Sequence, residues 1–351
     1  MRALPDGSMW QWGFRRAGRR TNLALLALLV ASLVTGVLAF GVGTPVPATV
    51  VVVAHGAAGL GLLLLVPWKS VVVRRGWRGN VGRRAPGVLL GVLVVLLVGS
   101  GLVHALAGFD SYLGLTPMQV HVSAAVIAAV ALVMHLRVHG AFSWSPVTRR
   151  ADLSRRSAWR TVGLGVGAGL IYTAAEGVAA VASLPGASRR GTGSHEVGSG
   201  DPSAMPVTQW FTDPVLQLDP SRWRLQVAGR QLALDELRAG GDVLRATLDC
   251  TNGWYAEQEW RGVRLDRLLG EARGRSIDIV SATGYSRRLP LRDTPHLLLA
   301  THAAGRPLSP GHGAPLRLVV PGRRGFWWVK WVVRIGVVDA PWWVAPPFPL
   351  Q

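Results

Sequence analysis

The chain has 351 residues, of which 49% are hydrophobic and only 16% are charged, and its net charge is +19. This composition excludes a disordered chain, and it is unlike that of an ordinary soluble enzyme, in which about a quarter of the residues are charged. The single cysteine excludes a disulfide within the chain.

The excess of positive charge lies in the first half of the chain. Residues 1–185 carry 17 Lys and Arg against 4 Asp and Glu, whereas residues 186–351 carry 21 against 15. In the first half the basic residues occupy short segments between apolar runs, as they do in membrane proteins, and not a folded basic surface. We therefore expect the lipid bilayer as a partner and no nucleic acid.

Five apolar stretches are long enough to cross a bilayer, which takes about 20 residues. They cover residues 22–43, 47–67, 87–108, 117–136 and 161–184. The positive-inside rule places the N-terminus in the cytoplasm, so five spans of a bacterial-type cell membrane put everything after about Pro185 outside. The cytoplasmic segments carry Arg15, Arg16, Arg19 and Arg20, then Lys69, Arg74, Arg75, Arg78, Arg83 and Arg84, then Arg137, Arg149, Arg150, Arg155, Arg156 and Arg160.

Four histidines, His55, His104, His121 and His135, lie in the second to fourth stretches. Each can simply bond a neighbouring helix, but polar groups at membrane depth are costly and usually functional, and imidazole is the usual ligand of haem iron. His121 and His135 share one helix face about 21 Å apart, a spacing that suits two haem levels.

His55, His104 and His121 all lie in the outer half of their stretches. Their placement predicts one haem b that is ligated by two of the three histidines. We expect His55 and His121 to be the iron ligands. His135 lies near the inner end, where a second haem would need an unusual partner. In helix number and histidine placement this half resembles the small four-helix cytochrome b modules that pass electrons between the quinone pool and attached redox enzymes.

The fifth stretch differs from the others because it is rich in Gly and Ala, contains Glu176, and follows Arg155 and Arg156. Paired arginines before a weakly apolar stretch look like a twin-arginine export signal, which moves folded cargo. The alternative is that they are only positive-inside anchors. The composition of residues 186–205, rich in Gly and Ser, predicts a flexible tether.

Residues 206–351 alternate short strand-like runs with turns and short helical patterns, which predicts an α+β domain. The strand-like runs are Trp223–Val227, Ile277–Ser281, Leu316–Val320 and Val329–Val337, and the helical ones are Leu234–Leu237 and Leu265–Glu271.

Two motifs in this domain resemble those of the sulfite-oxidase-type molybdopterin enzymes. Cys250 lies in the run TLDCTNGW, followed by EWRGV, and the second motif is GHGAPLRLVVP followed by GFWWVKW. The opening Trp210-Phe211 and the run LDPSRW also fit that family's entry strand. The resemblance covers essentially the whole domain.

The resemblance implies a molybdenum-molybdopterin cofactor with the Cys250 thiolate as the protein's ligand to molybdenum, a role that suits a soft sulfur donor. The alternative is an inert buried thiol. Arg317 and Lys330 match positions that bind the anionic cofactor, His312 stands at a polar contact to the pterin, and Arg323 and Arg324 are either cofactor contacts or a solvated turn. The resemblance also implies that the backbone of Trp328 and Val329 contacts the cofactor. It further implies that Thr283 and Tyr285 line the cofactor.

The residues after Cys250 are neutral and include Trp254 and Tyr255, which predicts an aromatic, neutral pocket, whereas sulfite oxidases carry arginines there to bind the sulfite dianion. This favours an uncharged sulfoxide, and the resemblance is nearer to the periplasmic branch that reduces oxidised methionine with a haem-b membrane partner.

We therefore expect a cytochrome-b-like transmembrane bundle (1–145), a fifth helix with linker (146–205) and a molybdopterin oxidoreductase domain (206–351). The expected reaction reduces a small or protein-bound sulfoxide outside the membrane with electrons from quinol through haem b. The alternatives are a dehydrogenase for sulfite or another substrate that feeds quinone, and a non-catalytic membrane-anchored binding protein.

Overall fold

The structure, a computed structural model, describes residues 18–76, 81–138, 155–208 and 213–346. The chain divides into two units. The first runs to Gly191 but leaves out Phe40–Ala48, and the second comprises that segment and the residues from Thr192 onward. Several residues that carry sequence predictions lie outside the described ranges: Arg15, Arg16, Arg78, Arg149, Arg150, Trp210 and Phe211.

The first unit is helical, because long runs of Leu, Val and Ala form helices that satisfy their own backbone hydrogen bonds. Side-chain hydroxyls within these helices bond back to the preceding turn, as Thr35 does to the Ala31 carbonyl at 2.6 Å. The helices are α1 (Arg19–Gly41), α2 (Pro45–Leu64), α3 (Val66–Gly76), α4 (Val81–Ala107), α5 (Pro117–Val138) and α6 (Arg155–Val181).

Five of these helices, all except α3, are long and apolar enough to cross a membrane. Their apolar spans begin and end within three residues of the predicted stretches. The short α3 occupies part of what the sequence suggested was only a basic loop, and it carries Lys69 and Arg74.

Helices α4 and α5 pack along their length. Ala124, Ala128 and Ala131 of α5 recur at helical spacing and are buried, with Leu93 of α4 in the same cluster. Such small side chains let two helix backbones approach closely.

The second unit contains both strands and short helices, as the sequence predicted, and is built on two sheets. One has six strands in the order β1-β5-β8-β10, with β4 paired to β5 and β9 to β8, and the other has the order β3-β2-β11-β6-β7. The strands are β1 (His195–Glu196), β2 (Arg224–Val227), β3 (Arg230–Ala233), β4 (Asp242–Asp249), β5 (Trp254–Arg264), β6 (Ser276–Ser281), β7 (Ser286–Pro290), β8 (Leu298–Ala303), β9 (Arg306–Pro307), β10 (Arg317–Val319) and β11 (Val332–Val338), with short helices α7 (Leu234–Arg238) and α8 (Leu265–Leu269).

The core of this domain follows from alternation along the strands. In β2, Leu225 and Val227 are buried while Arg224 and Gln226 are exposed, which is the pattern of a strand with one face on a core. Large side chains such as Trp260 are almost fully buried.

The segment predicted as a tether, 186–205, is folded in the structure, so that prediction is wrong. Pro185–Ser188 forms a 3-10 turn of the first unit, and β1 pairs in parallel with the start of β5. The main-chain amide of Val197 also donates to the Tyr255 carbonyl at 2.8 Å. The division between the units therefore falls after Gly191, ahead of the predicted boundary at residue 205.

The last strand begins at Val332 and not at Val329, as the sequence suggested. A 3-10 turn, Gly325–Trp327, and the positive φ of Trp331 break the extended chain before it. As a result Trp328, Val329 and Lys330 precede the strand in a bend.

Candidate functional site

Cys250 lies in a tight turn directly after β4. Its main-chain amide donates to the Trp254 carbonyl at 2.8 Å, and its carbonyl accepts from Gly253, which has a φ of +90°. Glycine adopts this conformation at no steric cost, which explains its place in the turn. The turn leaves the thiol half-buried.

Neutral polar groups contact the sulfur. The Thr208 hydroxyl lies 3.2 Å from Cys250 Sγ, and the main-chain amide of Asn252 donates to it at 3.5 Å. Trp254, expected from the sequence to be part of an aromatic pocket, is only 1% exposed and belongs to the core.

A buried ion pair lies behind the cysteine. The Asp249 carboxylate accepts hydrogen bonds from Thr192 and Ser194, both at 2.8 Å, and pairs with the Arg324 guanidinium. Arg324 also donates to the Cys250 carbonyl at 3.2 Å. The network thus connects the metal-ligand candidate to residues ahead of β1.

Arg324 is 4% exposed, so the interpretation of this residue as part of a solvated turn is wrong. Its neighbour Arg323 is half-buried, pairs with Asp293 at 3.4 Å and stacks on Trp327 at 4.7 Å. In this structure the two arginines bond to the protein itself.

Arg317 is a buried cation whose hydrogen-bonding capacity is only partly used. It is 3% exposed, donates to the His312 carbonyl at 3.1 Å, and lies over the rings of Trp260 and Trp328. Its Nε has no hydrogen-bond partner. Burial lowers its pKa to about 10, and the nearby Cys250 opposes that shift.

Lys330 is a second cation near the same thiol. Its Nζ donates to the Thr208 and Gly311 carbonyls at 2.7 and 2.6 Å. Burial and then the charge of Arg317 lower its pKa to about 7, while Cys250 and Asp213 act in the opposite direction. Two cations crowd one site, an arrangement that an anion would stabilise.

The His312 ring bonds on both sides to the protein. Nδ1 lies 2.8 Å from the Ser309 hydroxyl and Nε2 lies 3.2 Å from the Met205 carbonyl. Burial, followed by Arg317 and Lys330, lowers the pKa of His312 to about 4, so the ring is neutral at pH 7. Its predicted contact to the pterin stays a prediction; what the structure shows is its carbonyl holding Arg317.

The remaining predicted positions surround this group. Thr283 donates to Asp213 at 3.1 Å, and the Tyr285 hydroxyl donates to the Phe326 carbonyl. Trp328 and Val329 are buried, and the Val329 carbonyl accepts from Leu318. Their predicted roles as cofactor contacts stay predictions.

Two glycines allow the close approach of the chain here. A Cβ at Gly313, whose φ is +104°, would lie 3.0 Å from the Lys330 Cβ, and one at Gly325 would lie 3.1 Å from the Cys250 Cα. A side chain at either position would push a candidate site residue away.

The residues present fit an anionic molybdopterin cofactor. A thiol is available as a soft ligand, Arg317 has a buried N–H without a partner, and Lys330 adds a second positive charge beside it. Arg supplies planar contacts to phosphate and Lys a point charge.

A second constellation lies within the first unit. The rings of His55 and His121 meet edge to face, with centroids 5.8 Å apart and planes at 81°. His55 Nδ1 lies 3.0 Å from the Ser32 carbonyl, and His121 Nδ1 lies 2.9 Å from the Leu97 carbonyl. A neutral imidazole that donates from Nδ1 keeps its Nε2 lone pair for a metal.

Glycines lie against three of the four histidines. A Cβ at Gly36 would lie 3.2 Å from the His55 ring, and Gly101 stands in the same relation to His121 at 3.3 Å. A Cβ at Gly87 would lie 3.3 Å from the His135 ring. The fourth histidine, His104, is buried on α4. The structure thus brings together His55 and His121, two of the three histidines that the sequence predicts to lie in the outer half of the membrane.

Comparison with known proteins bears on the second unit. Residues 212–343 match the family described as "oxidoreductase molybdopterin binding domain". The protein-methionine-sulfoxide reductase catalytic subunit MsrP of Xanthomonas campestris is 31% identical over 161 residues, which are 36% of this chain and 49% of that protein. Mitochondrial sulfite oxidase of Mus musculus is 31% identical over 35% of this chain and 30% of that protein.

The chain thus spans about half the length of the reductase subunit and less of the oxidase. The solved structure of the sulfane dehydrogenase SoxCD from Paracoccus pantotrophus matches at 28% identity with a TM-score of 0.33, over 36% of this chain and 40% of that one. The family match and the relatives support an oxidoreductase enzyme with a molybdopterin-binding domain, as the sequence predicted.

The sequence did not reveal the network of Asp249, Arg324 and Ser194. The only signal was the pair of arginines in an otherwise apolar run. Thr208, which contacts the thiol, stands in no motif.

Proposed function

We propose that this protein is a membrane-bound molybdopterin-dependent oxidoreductase that reduces a small or protein-bound sulfoxide outside the cytoplasm with electrons from quinol. The observation that carries the proposal is the Cys250 thiol in the company of the buried cations Arg317 and Lys330. The likeness to a methionine-sulfoxide reductase subunit supports the substrate class.

In this proposal the Cys250 thiolate holds the metal, and Arg317 and Lys330 bind the anionic part of the pterin. When bound, the molybdenum cofactor supplies two-electron oxygen-atom transfer. The turn that ends at Gly253 fixes the direction of the sulfur, and the bond from Arg324 to the Cys250 carbonyl fixes the turn.

The immediate neighbours of the sulfur favour an uncharged substrate. The Thr208 hydroxyl and the Asn252 amide are neutral donors, which suit a sulfoxide oxygen. Lys330 bonds two carbonyls, and Arg317 is stacked on two tryptophans and bonded to a third carbonyl. Both cations are therefore better placed for the cofactor than for a sulfite dianion.

The electron donor belongs to the first unit. His55 and His121 would ligate haem b through Nε2, because their Nδ1 atoms lie at hydrogen-bonding distance from main-chain carbonyls. When bound, the haem supplies one-electron transfer between quinol and the second unit. The five apolar helices support a membrane location, and the distribution of arginine supports a cytoplasmic N-terminus.

The test uses the full-length protein, made in a host that supplies molybdopterin and haem and purified in detergent. We expect molybdenum and pterin in the protein, a b-type difference spectrum, and sulfoxide reduction with a reduced viologen dye. Cys250→Ser should lose the molybdenum-dependent activity because a hydroxyl is a poor ligand in place of the thiolate, while the haem spectrum remains.

Ser221→Ala, at an exposed position outside the site, is the matched control. Full activity in Cys250→Ser, or protein free of molybdenum, would contradict the proposal. Sulfite oxidation without any sulfoxide reduction would reverse the proposed direction and favour a dehydrogenase.

A further inference from the structure

Glu176 is the one Asp or Glu residue within the five apolar spans of the described chain. It lies in α6 five residues before the helix ends at Val181, about 7.5 Å from that end. An ionisable side chain at membrane depth is costly, and proteins that keep one there usually use it.

The carboxylate of Glu176 has a cationic partner. Arg189 donates to it at 2.5 Å, and the Nε of the same guanidinium donates to the Gly186 carbonyl at 2.9 Å. The Arg189 side chain is 10% exposed and that of Glu176 is 37% exposed. The pair thus holds the carboxylate in place and leaves it accessible.

Tyr172 lies one turn before Glu176 on α6, with its hydroxyl near both Glu176 and Arg189. Its ring lies against Gly56, since a Cβ on that glycine would come within 2.5 Å of the tyrosine ring. Gly56 directly follows His55 in the chain. Tyr172, the first member of the group formed by Tyr172, Glu176 and Arg189, therefore packs against the residue next to the proposed haem ligand.

The contact between α6 and α2 extends along the helices. A Cβ at Gly61 would lie 3.2 Å from the Ala168 Cβ, and one at Gly167 would lie 3.1 Å from the Leu64 side chain. Ala168, Tyr172 and Glu176 recur every four residues, so they share one face of α6. The carboxylate therefore lies on the same face of α6 as the residues that touch α2.

We propose that Glu176 is the proton acceptor of a quinol site built from Tyr172, Glu176 and Arg189, an inference that rests on the proposed quinol-driven function. The Tyr172 hydroxyl donates to or accepts from one ring oxygen of the quinol, Glu176 accepts the proton of a quinol hydroxyl, and Arg189 positions the carboxylate.

Oxidation breaks the two O–H bonds of the quinol and yields the quinone, two electrons and two protons. His55 and His121 would hold the haem, which would supply one-electron transfer when bound. The sulfoxide is the terminal oxidant, and its reduction to the sulfide and water consumes two electrons and two protons. Glu176 takes up the protons in succession and releases each to the aqueous phase beyond the end of α6. His55 and His121 are unable to serve as this base while they ligate iron, whereas the Glu176 carboxylate is 37% exposed and accessible.

The first experiment measures haem reduction by decylubiquinol in the full-length, haem-loaded protein. Glu176→Gln keeps the size of the side chain and removes its basicity, so we expect haem reduction about 100-fold slower than in the native protein. Reduction by dithionite should be unchanged, and Glu176→Asp should retain most of the rate. Thr173→Val, on the same helix, is the matched control and should behave as the native protein does.

The second experiment separates this inference from the proposed function. Binding of 2-heptyl-4-hydroxyquinoline N-oxide, a quinol analogue, is followed by its fluorescence in protein prepared with and without haem. Glu176→Gln and Tyr172→Phe should each weaken binding about tenfold, the size of effect expected when one hydrogen bond to a charged or polar partner is lost.

The outcomes are distinct. Native protein that binds the analogue through Glu176 but whose haem is not reduced by quinol would refute the proposed electron donor and leave the site standing. Glu176→Gln with the native rate of haem reduction and native binding of the analogue would refute the site. If Glu176→Gln fails to fold, Tyr172→Phe and Glu176→Asp decide, because the first keeps the ring on Gly56 and the second keeps the charge.

Discussion

Lys330 shows how a site for an anion is built at a cost to the free protein. Its ammonium group is largely removed from water and lies near the charge of Arg317, so its pKa falls from 10.5 to about 7. Because the folded-state pKa is the lower one, the unfolded chain binds more protons than the folded chain between about pH 7 and 10.5. The free energy of unfolding of the cofactor-free protein therefore rises with pH through this window.

Lys330→Met tests this sign, since methionine keeps much of the side-chain volume without the charge. We expect the melting temperature of cofactor-free native protein, minus that of the variant, to increase as pH rises from about 7 toward 10. An anion bound beside Lys330 raises its pKa, so the cofactor-loaded protein should show a weaker trend. A difference in melting temperature that stays constant across this pH range would contradict the lowered pKa of Lys330.

Among the elements, the turns after strands were the least predictable from sequence, although they carry the site. Runs such as Ile277–Ser281 alternate or are uniformly apolar, and the strands follow from that local pattern. The pair of Asp249 and Arg324 joins residues 75 positions apart, and no local pattern encodes such a contact. Cys250 and Lys330 were found only because their flanking motifs resemble a known family.

The pairing of β1 with β5 escaped prediction for a related reason. His195–Glu196 is a two-residue strand in a run of Gly, Ser and Thr, a composition typical of a linker. Its order comes from the partner strand and from Ser194, whose hydroxyl bonds to Asp249.

The glycines on α1 and α4 make a prediction at the scale of the helix. A Cβ at Gly36 or Gly101 would lie 3.2 or 3.3 Å from the ring of His55 or His121. Gly36→Val should therefore displace the His55 ring, because the branched side chain needs more room than the Cβ alone. We expect loss or distortion of the b-type spectrum with the helical circular dichroism retained.

Gly59→Val on α2 is the control for this change, since nothing lies within 4 Å of a Cβ there. Both substitutions place the same residue in an apolar helix, so they share the cost in helix propensity. An equal effect of the two on the spectrum would show that the histidine contact is irrelevant.

For the whole molecule, the two candidate sites lie in separate folding units of one chain. In the proposed function one unit takes electrons from quinol and the other delivers them to substrate. A single chain fixes their ratio at one to one and raises the effective concentration of each for the other, so no association step limits electron transfer. In the proposed function the second unit must also reach the outside of the membrane together with its cofactor.

That requirement gives a test of the paired arginines at the start of α6. If Arg155 and Arg156 form an export signal for a folded domain, the double change Arg155→Lys and Arg156→Lys should retain the second unit in the cytoplasm, although it keeps the positive charge that orients the helix. We expect a C-terminal tag to become resistant to protease in spheroplasts. Arg149→Lys with Arg150→Lys makes the same chemical change a few residues earlier and should leave the tag accessible. Equal accessibility in both double variants would show that the arginines act only as cationic anchors.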